Sequence, residues 1–460
     1  MSRRPKSELA FGAALAAILA LAAGLRLVGV RYGLPYPLLN PDEASIVPRA
    51  WELVHGGGLD PGWYDYPSLL MELIAPVQTF ADEPSYLAAR LVAVVLGVGG
   101  VGAAAWLGRS AYGWTGGVAA AAATAVATTH VAYSRMAVTD VALTLGVTCA
   151  LALALSGRLE WAGVAVGLAA SAKYPGALAL IPVVAAGWGA WRRLAAAAGL
   201  AVAAFVVTSP FVVVHAGRAW DDISRVQRLA RAGWLGFEGD PATPFAFADR
   251  LWEALGPAVL VALAGIVVAL VRRTRADLVL GLFAAVWAVQ LLPIEAHFDR
   301  YVLPLIPVLG AFAGRLPALL PAAAVALAFP LVWSIGDAAD LTKTDTRVAA
   351  AAWIEQNVAP GTTVAADPSS PDLPRFDVTK LELPGPGRQE DPQRDVARLR
   401  RDGIRYAFVN GAVADRVLAA AARYPREARF YAELETGARR VLIVRPGGDL
   451  GGPWVALYRL

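Results

Sequence analysis

The chain has 460 residues, of which 57% are hydrophobic and only 17% are charged, a composition too apolar for an ordinary soluble protein. The single cysteine, Cys149, excludes an intrachain disulfide and a metal site built from cysteines. The net charge of +4 comes largely from short arginine clusters between apolar runs, which membrane topology explains without nucleic acid as a partner.

Apolar runs of membrane-spanning length occupy the first 336 residues. A transmembrane helix needs about 20 apolar residues to cross a hydrocarbon core of roughly 30 Å, and this length predicts a polytopic α-helical membrane domain of about eleven transmembrane helices. Lys173 and Pro175 in "SAKYPG" favour a break between the fifth and sixth helices. The predicted spans are 9–30, 86–108, 114–132, 137–155, 159–172, 175–191, 194–213, 252–271, 277–294, 300–314 and 317–335.

The distribution of basic residues predicts the orientation. With the N-terminus in the cytoplasm, the short cytoplasmic loops carry most of the arginines and few acids, as the positive-inside rule requires. The long, mixed-charge loops 31–85 and 214–251 and everything after about residue 336 then lie outside. We therefore expect a multi-pass protein of the cytoplasmic (inner) membrane, and the alanine-, glycine- and arginine-rich composition indicates a bacterial source. The arginines assigned to the cytoplasmic side are Arg109, Arg158, Arg192, Arg193, Arg272, Arg273, Arg275 and Arg315.

Residues 337–460 have the periodicity of a soluble domain. "DTRVAAAAWIEQNV" predicts an amphipathic helix, and "TTVAAD", "IRYAFVN", "RRVLIVRP" and "WVALYRL" predict strands, with helices at 391–402 and 412–423 between them. We expect a small extracytoplasmic α/β domain here, after a transmembrane domain at 1–336 whose first outer loop contains interfacial helices.

Two adjacent acids, Asp42 and Glu43, follow the first span in "LLNPDEASIVPRAW". A carboxylate at the edge of the bilayer is suited to act as a base or a metal ligand. Asp42 is equally well placed to be the N-cap of the helix "EASIVPRAWELV", with Glu43 in its first turn. The residues alone leave both interpretations open.

Further charged residues lie at other outer ends of the predicted spans. Arg135 and Asp140 flank the start of the fourth span, where they predict a functional site or a mutual ion pair with snorkelling. Lys173 is a lone cation between apolar helices, suited to a phosphate or to snorkelling.

The segment "PIEAHFDRYVLPLIP" is unusually dense in polar residues. His297, beside Asp or Glu, is a candidate ligand for a divalent metal ion or an ordinary loop histidine. Arg300 offers planar donors suited to a phosphate. Carboxylates and cations at one face suit a substrate that is lipid-borne, anionic in its phosphate and reactive at a neutral carbon, such as a polyprenyl-phosphate sugar.

Several segments together resemble a known family. "NPDEA", "YDYPSL", "SRMAVTD", "AKYPG" and "HFDRYVLPLIP", followed by "DTRVAAAAWIEQNVAPGTTV", are similar in order and topological placement to the polyprenyl-phosphate-dependent C-type (GT-C) membrane glycosyltransferases. This group contains the protein O-mannosyltransferases and the lipid A aminoarabinose transferase. The resemblance covers nearly the whole chain and implies the GT-C fold.

The resemblance also implies an activity, an inverting transfer of one hexosyl or pentosyl unit from a polyprenyl-phosphate donor to a hydroxyl of an unknown envelope acceptor, whether glycan, glycolipid or protein. Asp42 would be the general base and Glu43 would support it or bind a metal ion, tentatively with His297. No organic cofactor is implied. Membrane lipids are expected partners, and a transporter or flippase of a lipid-linked or anionic substrate is the alternative function.

The same resemblance implies substrate-binding roles for further residues. Lys173, Arg300 and Tyr301 would hold the donor phosphate. Tyr64 and Tyr66 would lie near the sugar or the lipid entry, and Arg135 and Asp140 match a family position near the site, where they would take part in substrate binding.

Overall fold

The computed structural model describes residues 4–460. As far as Asp340 the regular elements are helices, which are joined by loops, and a mixed α/β region follows. In chain order the helices of the first part are α1 (Arg4–Leu27), α2 (Glu43–Glu52), α3 (Leu69–Gln78), α4 (Tyr86–Val126), α5 (Thr128–Tyr133), α6 (Thr139–Leu155), α7 (Leu159–Ala172), α8 (Leu180–Ala186), α9 (Trp191–Thr208), α10 (Pro210–Val214), α11 (Ala216–Ala232), α12 (Thr243–Leu255), α13 (Ala258–Arg272), α14 (Arg275–Leu291), α15 (Ile306–Ala313) and α16 (Leu320–Asp340). Three 3-10 segments lie at Tyr174–Ala179, Asp299–Leu305 and Pro317–Leu319.

Four helical segments within residues 4–460 are long and apolar enough to cross a membrane, namely Ser7–Leu27, Tyr86–Val126, Trp191–Thr208 and Pro317–Asp340. A fifth is added if α12 and α13, which bend by 114° at the break between them, count as one broken span. Other apolar helices are shorter, such as α6 with 17 residues and α7 with 14. The total of eleven transmembrane helices therefore stays a prediction.

Helix α4 contains two of the predicted spans and turns back on itself between them. Tyr112 and Gly113 leave the helical conformation, and Gly113 has φ 71°, which favours glycine. Gly108 and Gly116 lie in contact, since a β-carbon on Gly108 would overlap the carbonyl oxygen of Gly116. In a straight helix, two residues eight positions apart would be about 12 Å apart along the axis. The two arms of α4 therefore pack against each other as a hairpin.

Two predictions about where the spans begin and end can be compared directly with the structure. The span predicted at 252–271 is wrong at its start, because Gly256 has φ 54° and Pro257 follows it, so that the helix begins again only at Ala258. The expected break after the fifth span is confirmed, since Lys173 is extended between α7 and the 3-10 segment Tyr174–Ala179.

The C-terminal part is built on a five-stranded sheet. Its elements are β1 (Thr344–Asp345), α17 (Thr346–Asn357), β2 (Thr363–Ala366), β3 (Asp377–Lys380), α18 (Val396–Arg401), β4 (Tyr406–Asn410), α19 (Gly411–Ala419), α20 (Pro425–Gly437), β5 (Arg439–Val444), β6 (Leu450–Gly451) and β7 (Val455–Arg459). The strand order is β3-β2-β4-β7-β5, with β2 parallel to β3 and β4, and β7 antiparallel to β4 and β5. β1 and β6 form a separate parallel pair.

Buried apolar residues explain why this sheet forms. One core cluster contains Val364, Phe408 and Leu457 from three adjacent strands, and the other side of the sheet packs on α19 and α20 through residues such as Val417 and Leu434. Alternate residues of a strand point to opposite faces, so the sheet has an apolar layer on each side.

Two hydrogen bonds tie the C-terminal part to loops of the helical part. The Arg347 guanidinium donates to the carbonyl oxygen of Leu38 at 3.0 Å, and the Tyr424 hydroxyl donates to Glu238 at 2.6 Å. The loop after α1, the segment after α11 and the C-terminal sheet therefore lie on the same side of the helices.

Candidate active site

Polar side chains from four separate helix ends converge in one place. Asp42 stands just before α2, Asp140 lies in the first turn of α6, Lys173 follows α7, and Arg300 lies in the 3-10 segment before α15. Because helix ends leave backbone groups without intrahelical partners, they are also the places where a bundle of apolar helices accommodates polar side chains.

Asp42 and Arg300 form the centre of this cluster. Asp42 Oδ2 accepts hydrogen bonds from Arg300 Nη1 at 2.7 Å and from the Tyr66 hydroxyl at 3.0 Å. Burial raises the pKa of the Asp42 carboxyl, but the combined lowering by Arg300, Tyr66 and Lys173 is larger. The net pKa therefore lies below its usual value of 3.8. Asp42 is therefore ionised at neutral pH.

The structure tests one of the two interpretations of Asp42 left open by the sequence, the helix cap. Asp42 precedes α2, but its side chain makes no capping hydrogen bond. The backbone amide of Asp42 is instead bonded to the side chain of Asn40 at 2.9 Å. The expectation that the Asp42 carboxylate caps the helix is wrong, and the carboxylate faces Arg300 and Tyr66.

Lys173 and Asp140 form a second ion pair beside the first. Lys173 Nζ lies 2.6 Å from Asp140 Oδ1, with side-chain exposures of 12% and 3%. The ammonium group lies 5.4 Å from the ring centre of Tyr66 and 5.3 Å from that of Tyr301, within the range of cation–π attraction. The two tyrosines thus contribute to the same cationic cluster as Lys173.

Some polar atoms of this cluster have no partner. Arg300 Nε and Asp140 Oδ2 are buried and make no hydrogen bond among the described residues. A buried polar atom without a partner costs about 1–3 kcal/mol. Unpaired atoms of this kind mark a place where a ligand can supply the missing hydrogen bonds.

Three adjoining cavities meet at Arg300, which lines all of them. The first, of about 80 Å³, is lined by Lys173, Tyr174 and mainly apolar side chains of α11 and α14. The second, of about 170 Å³, and the third, of about 770 Å³, both include Asp42 and Arg388 in their walls. The third lies between the helical part and the C-terminal part of the chain. Asp42 therefore lines the second and third cavities, and Arg300 connects both of them to the first.

Glu43 has a different environment from Asp42. It is fully buried, and its two oxygens accept hydrogen bonds from Arg90 at 2.8 and 2.7 Å, while Oε1 also accepts from the backbone amide of Ala137 at 3.0 Å. Arg90 in turn bonds the carbonyl oxygens of Val30 and Tyr32. Glu43 thus connects the loop after α1 to α4 and does not line the three cavities.

His297 has its own partners. Nδ1 lies 3.1 Å from Asp240 Oδ2, and Nε2 lies 3.3 Å from the Thr243 hydroxyl. His297 and Glu43 are thus held by different neighbours, and their pairing at one metal ion stays a prediction. Among residues 4–460 whose positions are described, no group of three or more His, Cys, Asp or Glu side chains is arranged to hold a metal ion.

Two other predicted substrate-binding residues do not line these cavities. Arg135 is buried and donates to the carbonyl oxygen of Leu25 at 3.1 Å, so it joins α1 to the start of α6. Tyr64 is also buried, and its hydroxyl donates to Asp60 at 2.8 Å. The other predicted residues, Tyr66, Asp140, Lys173, Arg300 and Tyr301, all line the first cavity.

The sequence interpretation missed several residues that line the cavities. Tyr174 follows Lys173, and its hydroxyl donates to the carbonyl oxygen of Tyr64 at 2.9 Å. Trp234 and Phe298 stack edge-on with ring centres 5.4 Å apart. Trp234 follows directly after the amphipathic helix α11, a usual position for an aromatic residue at a membrane surface. Arg388 lies in a segment without periodicity, where no sequence signal marks it.

Comparison with known proteins agrees with this geometry. Residues 63–294, just over half of the chain, match the sequence model of glycosyltransferase family 87. No curated protein sequence matches the chain. Among solved structures, the chain is similar to ArnT from Cupriavidus metallidurans in the apo state, with TM-score 0.57, 17% identity and coverage of 96% of this chain and 97% of ArnT.

Two further structures have the same fold. ArnT bound to undecaprenyl phosphate gives TM-score 0.55 at 16% identity, covering 98% of this chain and 97% of ArnT. The Archaeoglobus fulgidus oligosaccharyltransferase tethered with an acceptor peptide gives TM-score 0.62 at 12% identity, covering 96% of this chain and 74% of the transferase. The chain therefore belongs to glycosyltransferase family 87 and is a membrane glycosyltransferase of the GT-C type.

Proposed function

We propose that the protein transfers one sugar from a polyprenyl-phosphate donor to a hydroxyl group of an envelope acceptor, with inversion at the anomeric carbon and with Asp42 as the general base. The observation that carries this proposal is the position of Arg300. Its guanidinium bonds Asp42, keeps Nε without a partner, and lines all three cavities.

The first cavity suits the donor. Its apolar side, formed by residues such as Ile223, Val226 and Trp287, fits the first isoprene units of a lipid, and Lys173 and Arg300 stand at its polar end. In support, ArnT, which has the same fold, has been crystallised with undecaprenyl phosphate. The donor phosphate would accept hydrogen bonds from the unpaired Nε of Arg300 and an ionic contact from Lys173.

The reaction needs one proton acceptor and one site for the leaving anion. The acceptor oxygen forms a bond to the anomeric carbon while the bond from that carbon to the phosphate oxygen breaks. Polyprenyl phosphate leaves as an anion, stabilised by Arg300 and Lys173, so no acid is needed to protonate it. The proton of the acceptor hydroxyl goes to Asp42, whose Oδ1 has no hydrogen bond among the described residues, since both bonds to its carboxylate use Oδ2.

A divalent metal ion does not fit the donor set around this site. The carboxylates of Asp42 and Asp140 each already face a cation, at 2.7 and 2.6 Å, so their negative charges are compensated by side chains of this protein. Glu43 forms a buried ion pair with Arg90. The proposed reaction therefore uses only side chains of this protein.

We place the reaction at the outer face of a bacterial cytoplasmic membrane, with the C-terminal part outside. The distribution of arginines supports this orientation. The contacts of Arg347 with Leu38 and of Tyr424 with Glu238 support a common side for the C-terminal part and the loops that carry the site. A transporter or flippase is not favoured, because residues 63–294 match a glycosyltransferase family.

The binding of undecaprenyl phosphate to the purified protein in lipid nanodiscs tests the proposed donor site. Lys173→Gln should weaken this binding about tenfold, the effect of one lost charge-assisted contact. Lys380→Gln, an exposed lysine 78% accessible in the C-terminal part, is the matched control and should leave binding unchanged. Equal affinity in the wild type and Lys173→Gln would remove Lys173 from the phosphate site.

A further inference from the structure

The third cavity, which Asp42 and Arg300 both line, has more arginines than carboxylates in its walls. Three of its arginines have carboxylate partners, because Arg300 pairs with Asp42 at 2.7 Å, Arg250 with Asp240 at 2.9 Å and Arg347 with Asp345 at 2.6 Å. Its other two arginines are Arg388 and Arg416. Neither forms a salt bridge or a side-chain hydrogen bond among residues 4–460 that the structure describes.

Arg388 is held in the wall of the cavity by an aromatic ring. Its guanidinium carbon lies 4.3 Å from the ring centre of Trp234. Stacking of this kind fixes the plane of the guanidinium and leaves its edge, which carries the N–H donors, open to a ligand. Burial is the largest influence on the pKa of Arg388 and lowers it, and Arg225 lowers it too. Glu382 raises this pKa, but the net shift is downward, so the nearby acid does not neutralise the cation as a direct partner would.

Arg416 reaches the same cavity from α19. A β-carbon on Gly236, which has φ 101°, would come within 2.8 Å of Arg416 Cδ, so the loop after Trp234 packs closely on the stem of this side chain. The neighbouring acid, Asp415, forms no salt bridge with Arg416 among the described residues, and both of its oxygens accept a hydrogen bond from the indole Nε1 of Trp454, at 3.0 and 2.9 Å.

Two unpaired guanidinium groups in a cavity that also holds an aromatic ring and the proposed base define a class of acceptor. We propose that the acceptor carries an oxyanion, a phosphate or a carboxylate, which Arg388 and Arg416 bind while Trp234 contacts a sugar ring and the reacting hydroxyl lies at Asp42. Guanidinium groups bind both oxyanions through paired hydrogen bonds. This proposal rests on the proposed function, because it assigns the third cavity to the acceptor.

Three small glycosides that differ only in the group at C6, which is neutral in one and anionic in two, test the proposal. Octyl glucoside, octyl glucuronide and octyl glucoside 6-phosphate would be titrated against the purified full-length protein in nanodiscs. At least one anionic probe should bind about tenfold more tightly than octyl glucoside. That advantage should be lost in Arg388→Gln/Arg416→Gln and kept in Arg375→Gln, an exposed arginine of the C-terminal part that does not line the cavity.

Each outcome has a definite meaning. The anionic probe whose binding depends more on the two arginines identifies the oxyanion as phosphate or carboxylate. Equal binding of all three probes, or an anionic preference that persists in the double variant, would overturn the proposal. Arg416→Gln alone, at an exposed position, gives the same test if the double variant unfolds. Failure of the wild type to bind undecaprenyl phosphate would instead contradict the proposed donor site, and the two failures are therefore distinguishable.

Discussion

Arg300 donates a hydrogen bond of 2.7 Å to Asp42, although 258 positions separate the two residues in the chain. The contact joins the loop after α1 to the segment before α15, and it holds the proposed base directly beside the proposed phosphate site. In the proposed reaction a single cation would therefore act at two places, since it would keep the base ionised and receive the charge of the leaving group.

The pH dependence of sugar transfer should reveal this contact. The net pKa of Asp42 lies below 3.8, and burial alone would raise it. The base is half protonated only when the pH has fallen to that lowered pKa, so the midpoint of any loss of the wild-type rate from Asp42 protonation should lie below pH 3.8. Arg300→Gln removes the main lowering influence, and the acid limb of the pH–rate profile should then move to higher pH.

The same ion pair has a predictable effect on stability. Its contribution is present above the pKa of Asp42 in the unfolded chain and is lost as the pH falls through the lower pKa of the folded state.

The pH–rate profile also has a contradicting outcome. An acid limb in Arg300→Gln at the same pH as in the wild type would show that Arg300 does not control the ionisation of Asp42.

Glu43→Gln should destabilise the protein without abolishing transfer per folded molecule. The substitution leaves Arg90 buried without its carboxylate partner, and breaking a buried ion pair in this way costs about 3–5 kcal/mol. The expected result is a lower unfolding temperature in detergent, measured by intrinsic fluorescence. Glu52→Gln, an exposed position at the end of α2, is the control. Normal stability together with lost transfer would instead make Glu43 part of the chemistry.

Cysteine labelling in intact cells tests the orientation. In a Cys149→Ala background, Gln356→Cys on α17 should react with a membrane-impermeant maleimide, because residue 356 is exposed in the C-terminal part. Arg192→Cys, at an exposed site on the predicted cytoplasmic side, should react only after lysis. The opposite pattern at the two positions would invert the proposed topology.

Simple periodicities in the sequence predict much of the fold. Short apolar runs predict the strands β2, β4, β5 and β7, and these runs are largely buried in β2, β4 and β7 and half-buried in β5. β3 was missed because its sequence, "DVTK", is polar and lies at the edge of the sheet. The helix α20 was missed because strong charge along "PREARFYAELETG" hides the apolar face that Phe430, Tyr431 and Leu434 bury.

The sequence predicts which charged residues form the site better than it predicts which partners they contact. Asp42, Asp140, Lys173 and Arg300 could be recognised because a charge at the end of an apolar helix is costly and needs a reason. Sequence adjacency could not separate Asp42 from Glu43, which point to different partners because successive side chains of a helix turn by about 100°. Arg388 and Arg416 come from distant segments, and only the folded chain brings them to the acceptor side.

The most direct test of the account is the rate of sugar transfer by Asp42→Asn. Membranes containing the protein would receive a panel of labelled polyprenyl-phosphate sugars, and the donor used by the wild type would then be given to the variant. Transfer should fall by at least about 100-fold, the usual contribution of a general base, while undecaprenyl phosphate still binds. Asp82→Asn, an exposed acid in the same loop, should transfer normally. Wild-type transfer by Asp42→Asn would contradict the central claim.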